Sequence, residues 1–327
     1  MQTRRRHLHT LAAGATSGLA ALAVPQIANA QAGGNVTIIV PAPAGGTADI
    51  TARMLQEPLS RALGQTVVVE NRGGGSGAVG AQGVMNARPD GNTLQMTFSG
   101  FHVMSPHLVK LPYDPLKDLQ AVANVVSAPQ VLVVRGTLPY QTSAELVADA
   151  RKNPGRLNYA SAGNGSVQHI TAELFKNLTS TFIVHIPYRG TGPMLQDLLS
   201  NQVDLMLTTA PPLVPHIASG RIRALLVTSK ERLSALPNVP TAEQAGIKNF
   251  EVASWFALHT HKDAPKTNVD RISAAVQQVA TSADFSRRMG DQGAQITYMN
   301  PEQLRRYELA EFERWGKLIK SQGIKAD

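Results

Sequence analysis

The stretch "VPAPAGGTADITAR", residues 40–53, decides the fold. It leaves an apolar β-rich run, "VTIIV", turns through Gly45 and Gly46, and enters a segment in which Ile50, Met54, Leu55, Leu59 and Leu63 share one face at helical spacing. Pro58 predicts a kink in that helix. Strand, glycine turn and helix form the opening of an α/β unit. N–H groups at a helix start lack intrahelical partners and sit at the positive end of the helix dipole. Ala44, Gly45, Gly46 and Thr47 therefore form an anion cradle that needs no charged side chain. No Gly-Lys-Ser/Thr follows any glycine loop, which excludes a phosphate-hydrolysing P-loop. Asp49, in the first turn, either complements the dipole or meets a ligand hydroxyl or amine.

A counterpart lies in "SAGNGSVQHI", residues 161–170, again between a strand pattern and a helix pattern. Ser161, Gly163, Gly165 and Ser166 offer backbone and hydroxyl donors. His169, one turn into the helix, is either a structural hydrogen-bonding group or a ligand contact. Two such cradles facing across a cleft suit a small acid bearing carboxylates at both ends.

Working outward, short β-rich runs alternate with amphipathic segments, which implies a mostly parallel sheet covered on both faces. Two runs break the rhythm: "LQAVANVVSAPQVLVVRG", too long for one ordinary strand, and "FEVASWFALH". One crossing out and one back predict two α/β domains with a hinge and an interdomain cleft. Domain I is residues 31–127 plus 255–327, and domain II is residues 128–254. After the second crossing only helical patterns are expected. The last, "PEQLRRYELAEFERWGKLIKSQG", starts at Pro301 and carries Leu304, Leu309, Phe312, Trp315, Leu318 and Ile319 as its apolar stripe.

Composition narrows the class. Of 327 residues, 43% are apolar and 17% charged, so a packed core is expected. Residues 1–30 read as an export signal: "MQTRRRHLHT", an apolar run, then Ala28-Asn29-Ala30 before a cleavage point. Thr3 to His9 approximates a twin-arginine motif, and a general secretory signal fits nearly as well. No later stretch is long and apolar enough to span a bilayer, so a soluble periplasmic product is expected. With no cysteine, a disulfide framework, a thiolate nucleophile and a lipid anchor at the cleavage site are all excluded. The formal charge of +8 becomes +5 without Arg4, Arg5 and Arg6, and the remaining basic residues are scattered, unlike a nucleic-acid surface.

Sharper chemical readings fail. "GSGAVG", residues 75–80, matches a dinucleotide fingerprint, yet the next strand ends in Ser99-Gly100 where an acidic residue is required, so no cofactor is expected. Ser166 and His169 lack a nucleophile elbow and a third group, which leaves no catalytic set. His259 and His261 alternate on a strand and point to one face; two polar residues on an exposed strand face are expected, and no metal. Asp197, Asp204 and Glu173 are isolated acids without pairing for acid–base work.

Taken together, "IIVPAPAGGTADITAR", "VVVENRGGGSGAVGA", "PDGNTL", "LPYDPLKDL", "NPGRLNYASAGNGSVQH", "PYRGTGPMLQDLLSNQVDLM", "HIASGRIRALLVTSKERLSALPNVPTAEQAG" and "FEVASWFAL" resemble, in order, the solute-binding receptors of tripartite tricarboxylate transporters, the Bug-type periplasmic receptors. The resemblance covers essentially the whole chain after residue 30. It implies a type II periplasmic-binding-protein (Venus flytrap) fold that closes on a small organic acid. It further implies delivery to a two-subunit membrane permease, with no chemistry done on the ligand. Apart from the resemblance, a module that presents its closed form to a sensor kinase, and a secreted hydrolase using Ser166 and His169, are the alternative readings. The carried-over contacts fall on Ala44, Gly45, Gly46, Thr47 and Asp49, and on Ser161, Gly163, Gly165, Ser166 and His169. Tyr188-Arg189-Gly190 and Asp204 are further pocket candidates, as is Ser99; Arg189 could instead pair on the surface. The chain departs from the family at Ala42, where an aromatic is common, and at "LHTHKDAPK", where "LFAPAGTPK" is usual.

Overall fold

The computed structural model describes residues 34–325; the export signal expected over residues 1–30 lies outside them. The first sheet is laid down by β1 (Val36–Val40), α1 (Thr47–Leu63), β2 (Val67–Asn71), α2 (Ala78–Met85) and β3 (Thr93–Phe98). Apolar residues of β1 and β3 and the Leu55/Leu59 face of α1 pack into one buried cluster. Gly64, in the left-handed region at φ 64°, ends α1. A π-helical turn, Gly100–Met104, follows β3, and then α3 (Pro115–Asp118).

The next strand, β4 (Leu119–Arg135), is the run flagged as too long, and it is one continuous strand of 17 residues. It serves both halves of the molecule. The second sheet then follows: α4 (Ser143–Lys152), β5 (Asn158–Ser161), α5 (Val167–Thr179), β6 (Val184–Pro187), α6 (Thr191–Leu199), β7 (Leu205–Thr209), α7 (Val214–Ala218) and β8 (Ile222–Val227). The chain returns through β9 (Ala253–His261) and finishes with α8 (Lys266–Ala280), α9 (Ala283–Asp291), β10 (Gln295–Met299) and α10 (Pro301–Ser321).

Strand order is β2-β1-β3-β9-β4-β7-β5-β6, with β8 and β10 both on β4. Residues 119–129 of β4 pair with β9, and residues 130–134 pair with β7. The changeover falls at Pro129, whose missing N–H makes it a natural place to leave one ladder for another. β1 runs parallel to β2 and β3, and β5 runs parallel to β6 and β7. Every pairing of β4 is antiparallel, as is β3 with β9. The expected mostly parallel sheet is thus corrected to a mixed one. Each lobe keeps a parallel core, but a strand going out and one coming back must oppose each other.

Two further expectations change. β10 was read as helix-bearing chain; it is a short edge strand with one buried neighbour, too weakly patterned to stand out. On α10, Leu309 is 45% exposed, and the buried face instead carries Leu304, Glu308, Glu311, Trp315 and Ile319. Two carboxylates occupy places where an apolar stripe was drawn. Among the described residues no helix is long and apolar enough to cross a membrane.

Candidate functional site

Three helix starts converge on one cleft. From the first sheet, α1 begins after Gly46 with no side-chain cap, so the amides of Gly46, Thr47 and Ala48 have no partner within the helix. From the second sheet come α5, whose Val167 and Gln168 line the same space, and α6, whose N-cap Gly190 likewise has no side-chain cap. The inner cavity, about 40 Å³, is lined by Gly46, Thr47 and Ala48, by Val167 and Gln168, by Gly190 and Thr191, and by Phe98, Phe101 and Phe256 on one wall. Among the described residues, no ionisable side chain lines it. Three positive dipole ends therefore set its potential, with no counter-charge between them.

The inner cavity shares Ala42, Phe101, Ala162 and Gly190 with an outer chamber of about 650 Å³ that is lined also by Gly73, Gly74, Gly75 and Ser76. Arg189 is the one charged side chain lining either space; it is exposed and forms no ion pair with a described residue. Grooves elsewhere reach comparable size, such as one of about 560 Å³ beside α4, but that groove meets a helix whose first turn Thr142 already caps.

The lobes touch tightly around this cleft. Thr47 Oγ1 and Thr209 Oγ1 lie 2.6 Å apart, both buried, on opposite lobes. A Cβ on Gly190 would come within 2.7 Å of Pro43 Cδ, and one on Gly192 within 2.8 Å of the Ala44 carbonyl oxygen. Gly190 also has φ 112°, so only glycine meets both demands. Gln168 Nε2 donates to Thr191 Oγ1 (3.2 Å) and Thr208 Oγ1 (3.1 Å), and Gln130 Nε2 to Ser254 Oγ (3.0 Å). Each hydroxyl around the inner cavity thereby has a protein partner, Thr191 and Ser254 as acceptors, while Gln168 Oε1 is buried without one.

Of the sequence-predicted residues, the structure brings Gly46 and Thr47 to the inner cavity and Gly163, Tyr188 and Arg189 to the outer one. Tyr188 donates its hydroxyl to Asp197 Oδ2 at 2.7 Å; burial and that carboxylate push its pKa up to about 12, so it stays a donor. Asp49 faces the protein instead. Burial opposes its charge, but Arg53 Nε (2.9 Å), the Gly45 amide (3.0 Å) and Asn71 Nδ2 (2.9 Å) hold its carboxyl below the usual range. The Gly45 amide, expected in the cradle beside Ala44, is consumed by that contact.

In the second cradle, Ser166 Oγ accepts from the His169 amide as the N-cap of α5. Ser161 Oγ lies 2.6 Å from His185 Nε2, and the Gly165 amide donates to His169 Nδ1. His169 is fully buried and stacked on His185. The turn's polar groups thus build the turn, and Ala162, Val167 and Gln168 are what it presents to the inner cavity. Ser99 is buried at the end of β3, outside the lining of both spaces. Asp204 is not brought to the cleft at all. It sits just before β7, binding Arg135 Nε (3.0 Å) and the Asn158 amide (3.0 Å) at the end of the strand opposite Thr209.

Gln168, Thr191, Thr209, Phe98, Phe101 and Phe256 escaped the sequence reading. The start of α6 had a signal, since "YRGTGP" is another glycine turn before a helix. The phenylalanines carried none, because apolar residues at strand ends read as core.

Among the described residues, the side chains grouped with metal-ligand chemistry are His102, His259 and Glu308, whose donor atoms lie within 4.8 Å of one another. His259 is not on an exposed face, as expected, but fully buried, because α10 covers that side of β9; His261 is partly exposed beside Asp263. His259 Nε2 is 2.5 Å from Glu308 Oε1, and His102 Nε2 is 3.5 Å from the same oxygen. Neither Nδ1 has the carboxylate or carbonyl partner that ordinarily orients a metal-bound imidazole. The cluster is a buried histidine–carboxylate group joining the π-turn, β9 and α10. Burial pushes His102 down, and although burial opposes the charge on Glu308, the two imidazoles hold its carboxyl well below the carboxylate range.

A mixed α/β chain of two lobes, closing over a cleft lined by helix starts, has the fold of a periplasmic binding protein. The chain belongs to the tripartite tricarboxylate transporter receptor family: the profile described as "Tripartite tricarboxylate transporter family receptor" matches residues 51–324. It is similar to Protein BugT of Bordetella pertussis, 33% identical over 313 residues, covering 95% of each chain. Among solved structures it resembles Rpa4515 of R. palustris with adipate (34% identity, TM-score 0.87, covering 90% of this chain and 99% of that one). It also resembles MatC of Rhodopseudomonas palustris with bound malate (32% identity, TM-score 0.82, covering 87% and 98%).

Proposed function

We propose that this protein is an extracytoplasmic receptor that closes its two lobes over one small organic acid and hands it, unchanged, to a two-subunit membrane permease. The observation that carries the reading is the uncharged inner cavity ringed by the starts of α1, α5 and α6. A carboxylate entering it accepts from first-turn amides and meets three positive dipole ends, while no fixed cation competes to be neutralised. The similar proteins with malate and adipate bound support a carboxylate as the ligand class. The receptor description of the matching family supports binding without turnover as the role.

The lobes are proposed as residues 31–127 plus 255–327 and residues 128–254, a division supported by β4 leaving the first sheet at Pro129 and β9 re-entering it at Ala253. Export to the periplasm through the segment ending near Ala30 accords with the family. The test is calorimetry on the chain lacking residues 1–30, unfolded and refolded to strip bound ligand, titrated with mono-, di- and tricarboxylates. One acid bound per chain without conversion is expected. Silence across the whole panel, or turnover of the bound acid, would refute the reading.

A further inference from the structure

Resting on that reading, we infer that Gln168 is a specificity-determining residue: it receives a hydroxyl on the carbon next to the inner carboxylate, so the site prefers 2-hydroxy acids to the same acids without that group. Gln168 lines the inner cavity and is only 7% exposed. Its Nε2 donates to Thr191 Oγ1 (3.2 Å) and Thr208 Oγ1 (3.1 Å), while its Oε1 is buried with no partner among the described residues. A buried amide oxygen left unpaired is costly, and a donor carried in by the ligand removes that cost. Gln168 belongs to the first turn of α5, so its side chain is borne by the same turn whose amides meet the carboxylate.

The neighbouring groups favour a hydroxyl over other donors. Thr191 and Ser254 also line the cavity, and in their bonds with Gln168 and Gln130 each hydroxyl oxygen accepts, which leaves its O–H to donate. A ligand hydroxyl does both jobs: it donates to Gln168 Oε1 and accepts from Thr191, whose oxygen is tied to the same amide. Both partners of that amide are hydroxyls, which donate as readily as they accept, so it can also turn over and offer Nε2; a ligand hydroxyl answers either face and a methylene neither. An ammonium group donates too, but it brings positive charge to three positive dipole ends, with no carboxylate in the lining among the described residues. Position matters as well. The cavity of about 40 Å³ takes a carboxylate and the atoms next to it, so a hydroxyl further along the chain falls outside.

The test is calorimetry on the refolded protein with acids that differ by one group: malate, succinate and aspartate, then 2-hydroxyglutarate, 3-hydroxyglutarate and glutarate, each chiral acid as both enantiomers. The better enantiomer of each 2-hydroxy acid should bind about 5- to 150-fold more tightly than its unsubstituted partner, the range given by one buried group left unpaired. 3-Hydroxyglutarate should bind no better than glutarate, and aspartate should fall below malate. Gln168→Met keeps the length of the side chain without its oxygen, and should bring malate down to the level of succinate. Thr191→Val removes the hydroxyl's other partner and should narrow the same gap, which tests the inference separately if Gln168→Met fails to fold. Unsubstituted acids binding as tightly as their 2-hydroxy partners, or a 2-hydroxy advantage that survives these substitutions, would overturn this inference while leaving the receptor reading intact. Absence of binding by every acid would overturn both.

Discussion

Replacing Gly192 by alanine isolates lobe closure from everything else the chain does. Gly192 lies in the first turn of α6 and is not in the left-handed region, so alanine fits its backbone without strain and favours the helix, by up to about 1 kcal/mol in a helix interior and less at its end. Its added Cβ would lie 2.8 Å from the Ala44 carbonyl oxygen, a backbone atom on the other lobe. An ordinary carbon–oxygen contact is about 3.3–3.6 Å, so the lobes must back off by roughly half an ångström or more. Neither partner is the end of a flexible side chain that could swing away. Overpacking of this kind costs about 1–3 kcal/mol, and the cost exists only when the lobes are shut. Because ligand binding draws on closure, the dissociation constant should rise about 5- to 150-fold.

The two measurements should move apart. Thermal unfolding of ligand-free Gly192→Ala is expected within a few degrees of the parent, or above it, while calorimetric affinity for the best acid falls. Unchanged affinity would show that the Ala44–Gly192 approach is not part of the bound state. A large drop in ligand-free melting temperature would show that the contact is needed for the fold itself. Either result breaks the link drawn here between this contact and closure.

Other perturbations test separate links. Thr47→Val leaves Thr209 Oγ1 buried without its 2.6 Å partner across the cleft, and should weaken ligand binding by about 1–3 kcal/mol; adding Thr209→Val should restore part of the loss, and a double-mutant cycle showing no coupling would deny the inter-lobe bond. Glu308→Gln should lower stability to urea by several kcal/mol by leaving His102 and His259 buried without their carboxylate, whereas a neutral result would mean the carboxylate does not hold the cluster together. The same cluster sets a pH dependence: His102 is held below its ordinary 6.5, so the unfolded chain takes up a proton first and stability falls as pH drops through that value. Glu308, held below its ordinary 4.5, adds a second loss as pH drops below 4.5 toward its folded value, and equilibrium unfolding followed from pH 7.5 to 3.5 that shows no decline would contradict both directions.

How much of this could be read from sequence follows from which interactions are local. The boundaries of α1 and α4, and the two starts at Gly46 and Ser166, depend on caps, glycines and periodicity within one or two turns, so those features stand out in the letters. That "LQAVANVVSAPQVLVVRG" is one strand serving two sheets was half legible: its length was plainly abnormal, but nothing local says that a strand will change partners at Pro129. What stayed hidden is whatever depends on a contact across the cleft or the core. Glu308 sits in a helix pattern that any reader would turn outward, and only the imidazoles of His102 and His259, brought in from two distant segments, make its burial tolerable. Likewise Ser161, Ser166 and Asp49 were recognised as polar groups at helix entrances, yet sequence could not tell a donor aimed at a ligand from one closing its own turn; their partners are His185, the His169 amide and Arg53. The consequence for this family of sites is physical. Most polar side chains at the entrances satisfy themselves and fix the loops, which leaves the bare amides and Gln168 Oε1 with unspent hydrogen-bonding capacity. Ala42 and Phe101 line both spaces without contributing to the helix starts, so substitutions there alter the cleft walls and leave the amides in place.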